Sequence, residues 1–180
     1  LMKFAIMFEA SERWGGTDEQ DLLDHLMPFW LDTYFTRGNY LIIDNKPVLF
    51  VYDPHRQVAG AFADAAAQKA AFAKCAELAK TRGFDGMIFA AMASGDMNKL
   101  AEDFLARGYD FCFSYNYHYS GDVDYPSDEE IIADQKKFFE NRIELFHGRY
   151  VPTASSFWDP TPRYTKSWVD QGYHFSRSHI

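Results

Sequence analysis

Tyr40-Leu-Ile-Ile-Asp-Asn-Lys-Pro-Val-Leu-Phe-Val-Tyr-Asp-Pro54 carries two apolar strands around a two-residue turn. Leu41-Ile-Ile43 is the first strand and Val48-Leu-Phe-Val-Tyr52 the second. Asp44-Asn45 between them is turn chemistry, because both residue types tolerate positive φ. The second strand runs straight into Asp53-Pro54, so an aromatic and a carboxylate stand where it ends. The same ending recurs along the chain. Lys3-Phe-Ala-Ile-Met-Phe8 breaks into Glu9-Ala-Ser-Glu12-Arg-Trp14, Phe111-Cys-Phe-Ser-Tyr115 continues into Asn116, Tyr117 and His118, and a strand over 150–156 leads to Trp158-Asp159. In a parallel α/β architecture all such ends gather on one face, and that face is where sites are built.

Helical stretches separate the strands. Thr17-Asp-Glu-Gln20 has a capping-box pattern and opens a helix through Leu22, Leu23, Leu26 and Met27, with a break or kink expected at Pro28. The Ala-rich stretch 58–82, with Phe62, Phe72 and Leu78, reads as one helix closed by Gly83, before a strand over 84–92. Asp96 caps a helix that stops at Gly108, and Ser127-Asp-Glu-Glu130 is a second capping box opening a helix to about Phe146. The rhythm amounts to about five β/α units. It predicts an α/β fold of parallel β/α units forming part of a (β/α)8 TIM-type barrel. A complete barrel takes about 250 residues, so this 180-residue chain is expected to be a single domain, 1–180, holding an incomplete barrel. It opens directly on a strand at Leu1 and ends at His179-Ile180 without an evident closing element, as a segment of a longer protein would.

The composition narrows the function. A hydrophobic content of 47% and a charged content of 24% are globular values. A net charge of −8, with basic residues spread out, argues against nucleic acid and against an anionic membrane surface. No run of about 20 apolar residues is present to make a transmembrane helix, and no signal peptide is visible. Cys75 and Cys112 are too few for a disulfide framework and read as buried structural thiols. The histidines lack metal-ligand spacing, and no Gly-rich phosphate loop, Gly-x-Ser-x-Gly elbow or Cys-x-x-Cys pair occurs. Neither a metal nor an organic cofactor is expected.

What remains is an 18% share of aromatic residues, concentrated with acids at strand ends. That pairing suits sugars: carboxylates accept hydrogen bonds from hydroxyls, and ring faces pack on the apolar faces of pyranoses. Glu9 and Glu12, three apart at a strand end, are the candidate catalytic or hydroxyl-anchoring carboxylates. Trp14, Tyr52, Asp53, Tyr115, Tyr117, His118, Trp158, Asp159 and Arg163 are the candidate substrate-binding residues. Alternation sends Tyr115 and Tyr117 to one side of their strand and His118 to the other. Two prolines stiffen the Trp158-Asp159-Pro-Thr-Pro-Arg163 loop, and Arg163 is placed to pair with a rim acid. Each has a plainer reading as well: Glu12 paired with Arg13, Asp53 anchoring its turn, His118 as a structural histidine.

Three of these strings resemble the glycoside hydrolase family 99-like proteins, including the WbsX-like proteins of polysaccharide gene clusters. Ser11-Glu12-Arg13-Trp14 is similar to the family's Asn-Glu-x-Trp, with Ser11 in place of Asn. The segment from Tyr40 to Pro54 resembles its Tyr-x-x-x-x-Gly-Lys-Pro-Val-(apolar)-Tyr-x-Pro, and Phe157-Trp-Asp-Pro-Thr-Pro-Arg163 its Trp-Asp-Asn-Thr-Pro-Arg. The resemblance implies a (β/α)8 barrel acting on α-linked glycans, with endo-α-mannosidases as characterised relatives that work through two carboxylates and the sugar's own 2-hydroxyl. It places Glu9, Glu12 and Trp14 in the substrate cleft, with Tyr52, Trp158 and Asp159 beside it. The family's late Asn-Glu-Trp-x-Glu-Gly string is absent from residues 1–180, which puts its acid and base beyond Ile180. The expected partner is an oligosaccharide or polysaccharide, either cleaved or, on the alternative reading, held by a non-catalytic protein on the same scaffold.

Overall fold

The computed structural model describes residues 2–10, 16–52, 61–93, 96–115 and 126–153. The chain divides into two compact units, Leu1–Phe113 with Arg149–Val151, and Ser114–Gly148 with Pro152–Ile180. The first unit is built on a sheet of β1 (Met7–Phe8), β2 (Ile42–Ile43), β3 (Lys46–Val51), β4 (Ile88–Met92), β5 (Phe111–Phe113) and β6 (Tyr150–Val151). Strands β1, β3, β4, β5 and β6 lie side by side in that order, each parallel to the next. Every step along the chain moves one place in the same direction. A doubly wound sheet would reverse; a sheet that never reverses winds like a barrel and, with right-handed crossovers, carries its helices on one face. The chain is an α/β protein of parallel β/α units, part of a (β/α)8 barrel.

β2 is the exception to the rhythm. It pairs antiparallel with β3, Ile42 opposite Pro47 and Ile43 opposite Lys46. Asp44 and Asn45 make the turn at φ 48° and 56°, as the turn chemistry predicts. Asn45 Nδ2 donates to Gly83 O at 3.0 Å and Asp85 N donates to Asn45 O at 3.0 Å, tying the hairpin to the approach of β4. Replacing Asn45 by alanine removes the side-chain bond and leaves a Cβ-bearing residue in a left-handed conformation, an expected cost of about 1–2 kcal/mol. Asn45→Gly, which keeps that conformation free, is expected to lose less. Urea unfolding of the two variants checks the order.

The helices of this unit are α1 (19–35), α2 (Ala65–Lys80) and α3 (Met97–Asp103). α1 starts one residue later than the capping-box pattern suggests: Asp18, not Thr17, is the N-cap, accepting from Asp21 N at 2.8 Å, while Thr17 Oγ1 donates to Asp21 Oδ2 at 2.7 Å. Pro28 does not end the helix. Two π-helical stretches, Leu22–Leu26 and Leu31–Phe35, flank the α-turn Met27–Trp30 that contains it. The wide turn ahead of Pro28 makes room for a ring that an uninterrupted α-helix would force against the preceding carbonyl. α2 is capped by Asp64, whose Oδ1 accepts from Ala67 N at 2.8 Å, and it closes toward Gly83 at φ 89°. Asp96 Oδ1 caps α3 through Asn98 N (3.0 Å) and Lys99 N (3.1 Å). At Gly108 (φ 87°) a Cβ would meet Lys69 Cα at 3.3 Å, so glycine there lets the chain leaving α3 approach α2.

The second unit holds α4 (Asp128–Leu145), opened by the predicted capping box: Ser127 Oγ accepts from Glu130 N, and Glu130 Oε2 accepts from Ser127 N at 2.8 Å. Its end closes through Gly148 N donating to Ile143 O at 2.8 Å. Arg142 lies 4.9 Å from the centre of the Phe138 ring. No helix among the described residues is long and apolar enough to cross a membrane.

The two faces of the sheet differ. Phe8, Leu49, Val51, Phe89, Ala91, Cys112 and Tyr150 share one face by register and are all buried. α1 covers them through Trp30, edge-on to Phe8 at 5.5 Å, and α2 through Phe72, stacked on Phe89 at 4.1 Å with 3° between the planes. Cys75 and Cys112 are both buried free thiols, as expected from their apolar settings.

Candidate functional site

The other face of the sheet carries Met7, Phe50, Tyr52, Ile88, Ala90, Met92, Phe111, Phe113 and Val151, fixed by the same registers and by strand alternation. Its margins are open: Met7 is 40%, Phe111 37% and Val151 45% exposed. Its centre is packed. Ala90, Met92 and Phe113 form a buried cluster with Phe50 and Tyr52 against it. Phe50 on β3 and Phe113 on β5 meet edge-on at 4.7 Å, across the intervening strand, whose residue in register with Phe50 is the small Ala90. Barrel interiors are layered in this way, with bulky side chains from alternate strands filling one level. This face is the interior side of the barrel sheet.

Glu9 and Tyr52 stand at its carboxyl end. Met7 pairs with Phe50 and Phe8 with Val51, so the next pair in register is Glu9 and Tyr52. Tyr52 N donates to Phe8 O at 2.8 Å, holding the two strand ends together at the level of these residues. Both side chains are half-buried, and alternation puts both on the interior face. A carboxylate and a phenol thus emerge side by side above a floor of Phe50, Met92 and Phe113. The arrangement offers an acceptor for hydroxyl groups, a ring for packing, and an apolar base that displaces water.

The structure brings two of the candidates from the sequence together, Glu9 and Tyr52. Tyr115, 61% exposed, belongs to the second unit. Glu12, Trp14, Asp53, Tyr117, His118, Trp158, Asp159 and Arg163 lie outside the described residues. The floor residues Phe50, Met92 and Phe113 escaped the sequence reading, although the signal existed: Phe50 shares strand parity with Tyr52, and parity decides which face a residue joins. Asp110 is a different case. It precedes β5, at the amino ends of the strands, where its Oδ2 accepts from Phe89 N at 2.9 Å. Burial raises its pKa, against the lowering effects of that bond and of Lys46 and Arg149. Groups at this end of a barrel sheet serve stability.

The structure is similar to that of the GH99 endo-alpha-mannosidase from Bacteroides thetaiotaomicron, with a TM-score of 0.53 and 16% identity over 89% of this chain. The fold is GH99-like. The likeness covers 44% of that enzyme's chain, so this GH99-like segment spans less than half the length of the protein it matches. No family model matches the chain, and no curated protein matches its sequence. The likeness is one of fold: a sheet of parallel β/α units, whose carboxyl edge is where (β/α)8 barrels build their sites.

Proposed function

We propose that the protein is a carbohydrate-active protein, a glycoside hydrolase acting on α-linked glycans of the α-mannoside kind, with part of its catalytic machinery outside residues 1–180. The observation that carries this reading is the Glu9–Tyr52 pair at the carboxyl edge of a GH99-like sheet, above the apolar floor. Glu9 accepts hydrogen bonds from sugar hydroxyls, and the Tyr52 ring packs on a pyranose face. Glu12, Trp14, Asp53, Tyr115, Tyr117, His118, Trp158, Asp159 and Arg163 stay as further candidates from the sequence. Glycoside hydrolysis takes two carboxyl groups across the scissile bond, about 5–5.5 Å apart for retention and 6.5–9.5 Å for inversion. Glu9 supplies one carboxylate to the cleft, and the resemblance assigns the main acid and base to the missing Asn-Glu-Trp-x-Glu-Gly string.

Binding an α-linked mannotriose to the wild type and to Glu9→Gln tests the assignment. A hydrogen bond to a charged acceptor is worth about 1.5–3 kcal/mol, which converts to an expected affinity loss of about ten- to a hundredfold. Unchanged affinity in a folded Glu9→Gln protein removes Glu9 from the site. The second reading is a protein that holds the glycan on the same scaffold without cleaving it. Mannotriose bound but never hydrolysed by the full-length protein decides for that reading.

A further inference from the structure

The β1·β3 pairing that sets Glu9 beside Tyr52 is short. It spans two residue pairs, Met7 with Phe50 and Phe8 with Val51, and its flanking backbone bonds are Phe50 N to Ile6 O (3.1 Å) and Tyr52 N to Phe8 O (2.8 Å). Further down, β1 has a different neighbour: Phe4 N donates to Asn39 O at 3.0 Å and Leu41 N donates to Phe4 O at 2.7 Å. Between Phe4 and Ile6 the strand changes partners, leaving 39–41 and joining β3. The Tyr40 side chain sits in that fork. Its hydroxyl donates to Val48 O at 2.7 Å and accepts from Ile6 N at 3.3 Å. In a regular parallel ladder, with Phe50 N on Ile6 O, the Ile6 N–H would go to Val48 O directly. The phenol takes the place of that rung. Phe4 (5.2 Å, edge-on) and Phe35 (4.9 Å) hold the ring, which is fully buried.

We propose that Tyr40 is a positioning residue for the candidate glycan site: its hydroxyl fixes the point at which β1 joins β3 and so keeps Glu9 on the interior face, level with Tyr52. The reasoning is one of parity. Glu9 is three residues beyond Ile6 and Tyr52 four beyond Val48, the two groups the phenol links. A slip of one residue between the strands would turn Glu9 to the helix-covered face, because successive side chains alternate. So short a ladder is a weak guard against such a slip. The phenol adds two bonds that oppose it. Burial also pushes the Tyr40 pKa up to about 12, so the hydroxyl keeps its proton, and with it the bond to Val48 O, throughout the physiological range.

The inference rests on the glycan reading for its affinity readout alone; the strand geometry is read separately. In Tyr40→Phe the ring and its aromatic contacts remain while both bonds vanish. The expected result is at least tenfold faster amide exchange at Phe50 and Tyr52, unchanged exchange at Ala93 and Cys112 on the far side of the sheet, and at least tenfold weaker binding of α-linked mannotriose. Unchanged exchange at Tyr52 overturns the proposal, and so does faster exchange with undiminished affinity. Should Tyr40→Phe fail to fold, the wild type answers the same question: an Ile6 amide that exchanges as fast as free backbone overturns the phenol rung, and one protected like Tyr52 supports it. A wild type that binds no mannotriose rejects the glycan reading, and the exchange comparison still decides on the rung.

Discussion

Phe72→Ala is expected to destabilise the protein by about 3–5 kcal/mol, the range for emptying a buried aromatic site. The effect is large because one ring serves several elements at once. Phe72 is 2% exposed; it stacks on Phe89 of β4 at 4.1 Å, meets Tyr109 ahead of β5 edge-on at 5.5 Å, and meets Phe62 before α2 edge-on at 6.1 Å. Offset or edge-on aromatic pairs add about 0.5–1.5 kcal/mol beyond the area they bury, and Phe72→Ala breaks all three together. Relaxation around the cavity is restricted, since Phe89 is held in the sheet and the backbone at Gly108 passes so close that a Cβ there would lie 3.5 Å from Phe72 Cδ2. Native domains have only about 5–15 kcal/mol in hand. The variant should therefore unfold at a much lower urea concentration, and a loss below about 1 kcal/mol would mean that α2 does not dock on the sheet through this ring.

Alkaline pH is expected to unfold the protein in a range where exposed tyrosines and thiols titrate without consequence. Burial pushes the Cys75 thiol from 9.0 up to about 12, the Tyr40 phenol from 10.0 up to about 12, and the Tyr109 phenol upward as well. In each case the folded group holds its proton at a pH where the unfolded chain has released it. The stability they allow is fully present below about pH 9 and is lost as pH rises through the interval between the unfolded and folded values. Each pH unit spent in that interval costs about 1.4 kcal/mol per group. With three groups acting together, the decline by about pH 11 is comparable with the whole stability of a small domain. Urea midpoints from neutral pH to pH 11 check this, with Cys75→Ala as the control. The variant should show a shallower decline that begins about one unit later, where the phenols take over. A midpoint that stays flat to pH 11 would contradict the burial of all three.

Local chemistry decided what the sequence could reveal. The Asp44-Asn45 turn, the Asp96 cap and the Ser127–Glu130 capping box were legible because each is fixed by residues within a few positions of one another. The parallel order was legible from the β/α rhythm, and the unreversed winding follows from it. Pro28 signalled an irregularity but not its form, because a π-helical turn is not written in hydrophobic spacing. The strand ends were read too long: among the described residues of the 111–117 run, β5 covers Phe111–Phe113 and leaves Ser114 and Tyr115 outside it, since propensity cannot tell how far a neighbour extends. Glu9 and Tyr52 were recognised as strand-end residues, but their adjacency was not, because it depends on a register set by contacts forty residues apart. Tyr40 is the clearest case. The sequence offered it only as the first residue of the Tyr40–Pro54 segment, and only the fork between 39–41 and β3 gives its hydroxyl a task.

The Asp44–Asn45 hairpin also bears on how the chain folds in time. Parallel strands are joined by long connections, so the ends of each β/α unit must find one another across a large loop before any bond rewards the encounter. Among the described strands, β2 and β3 are the pair that can close locally, across two residues, on the microsecond scale of hairpins. β3 is also the strand on which both β1 and β4 assemble. A hairpin that forms early would hand the later strands a finished edge and spare them one search. On that account substitutions at Asn45 act mainly on the rate of folding, and the rate of unfolding hardly changes.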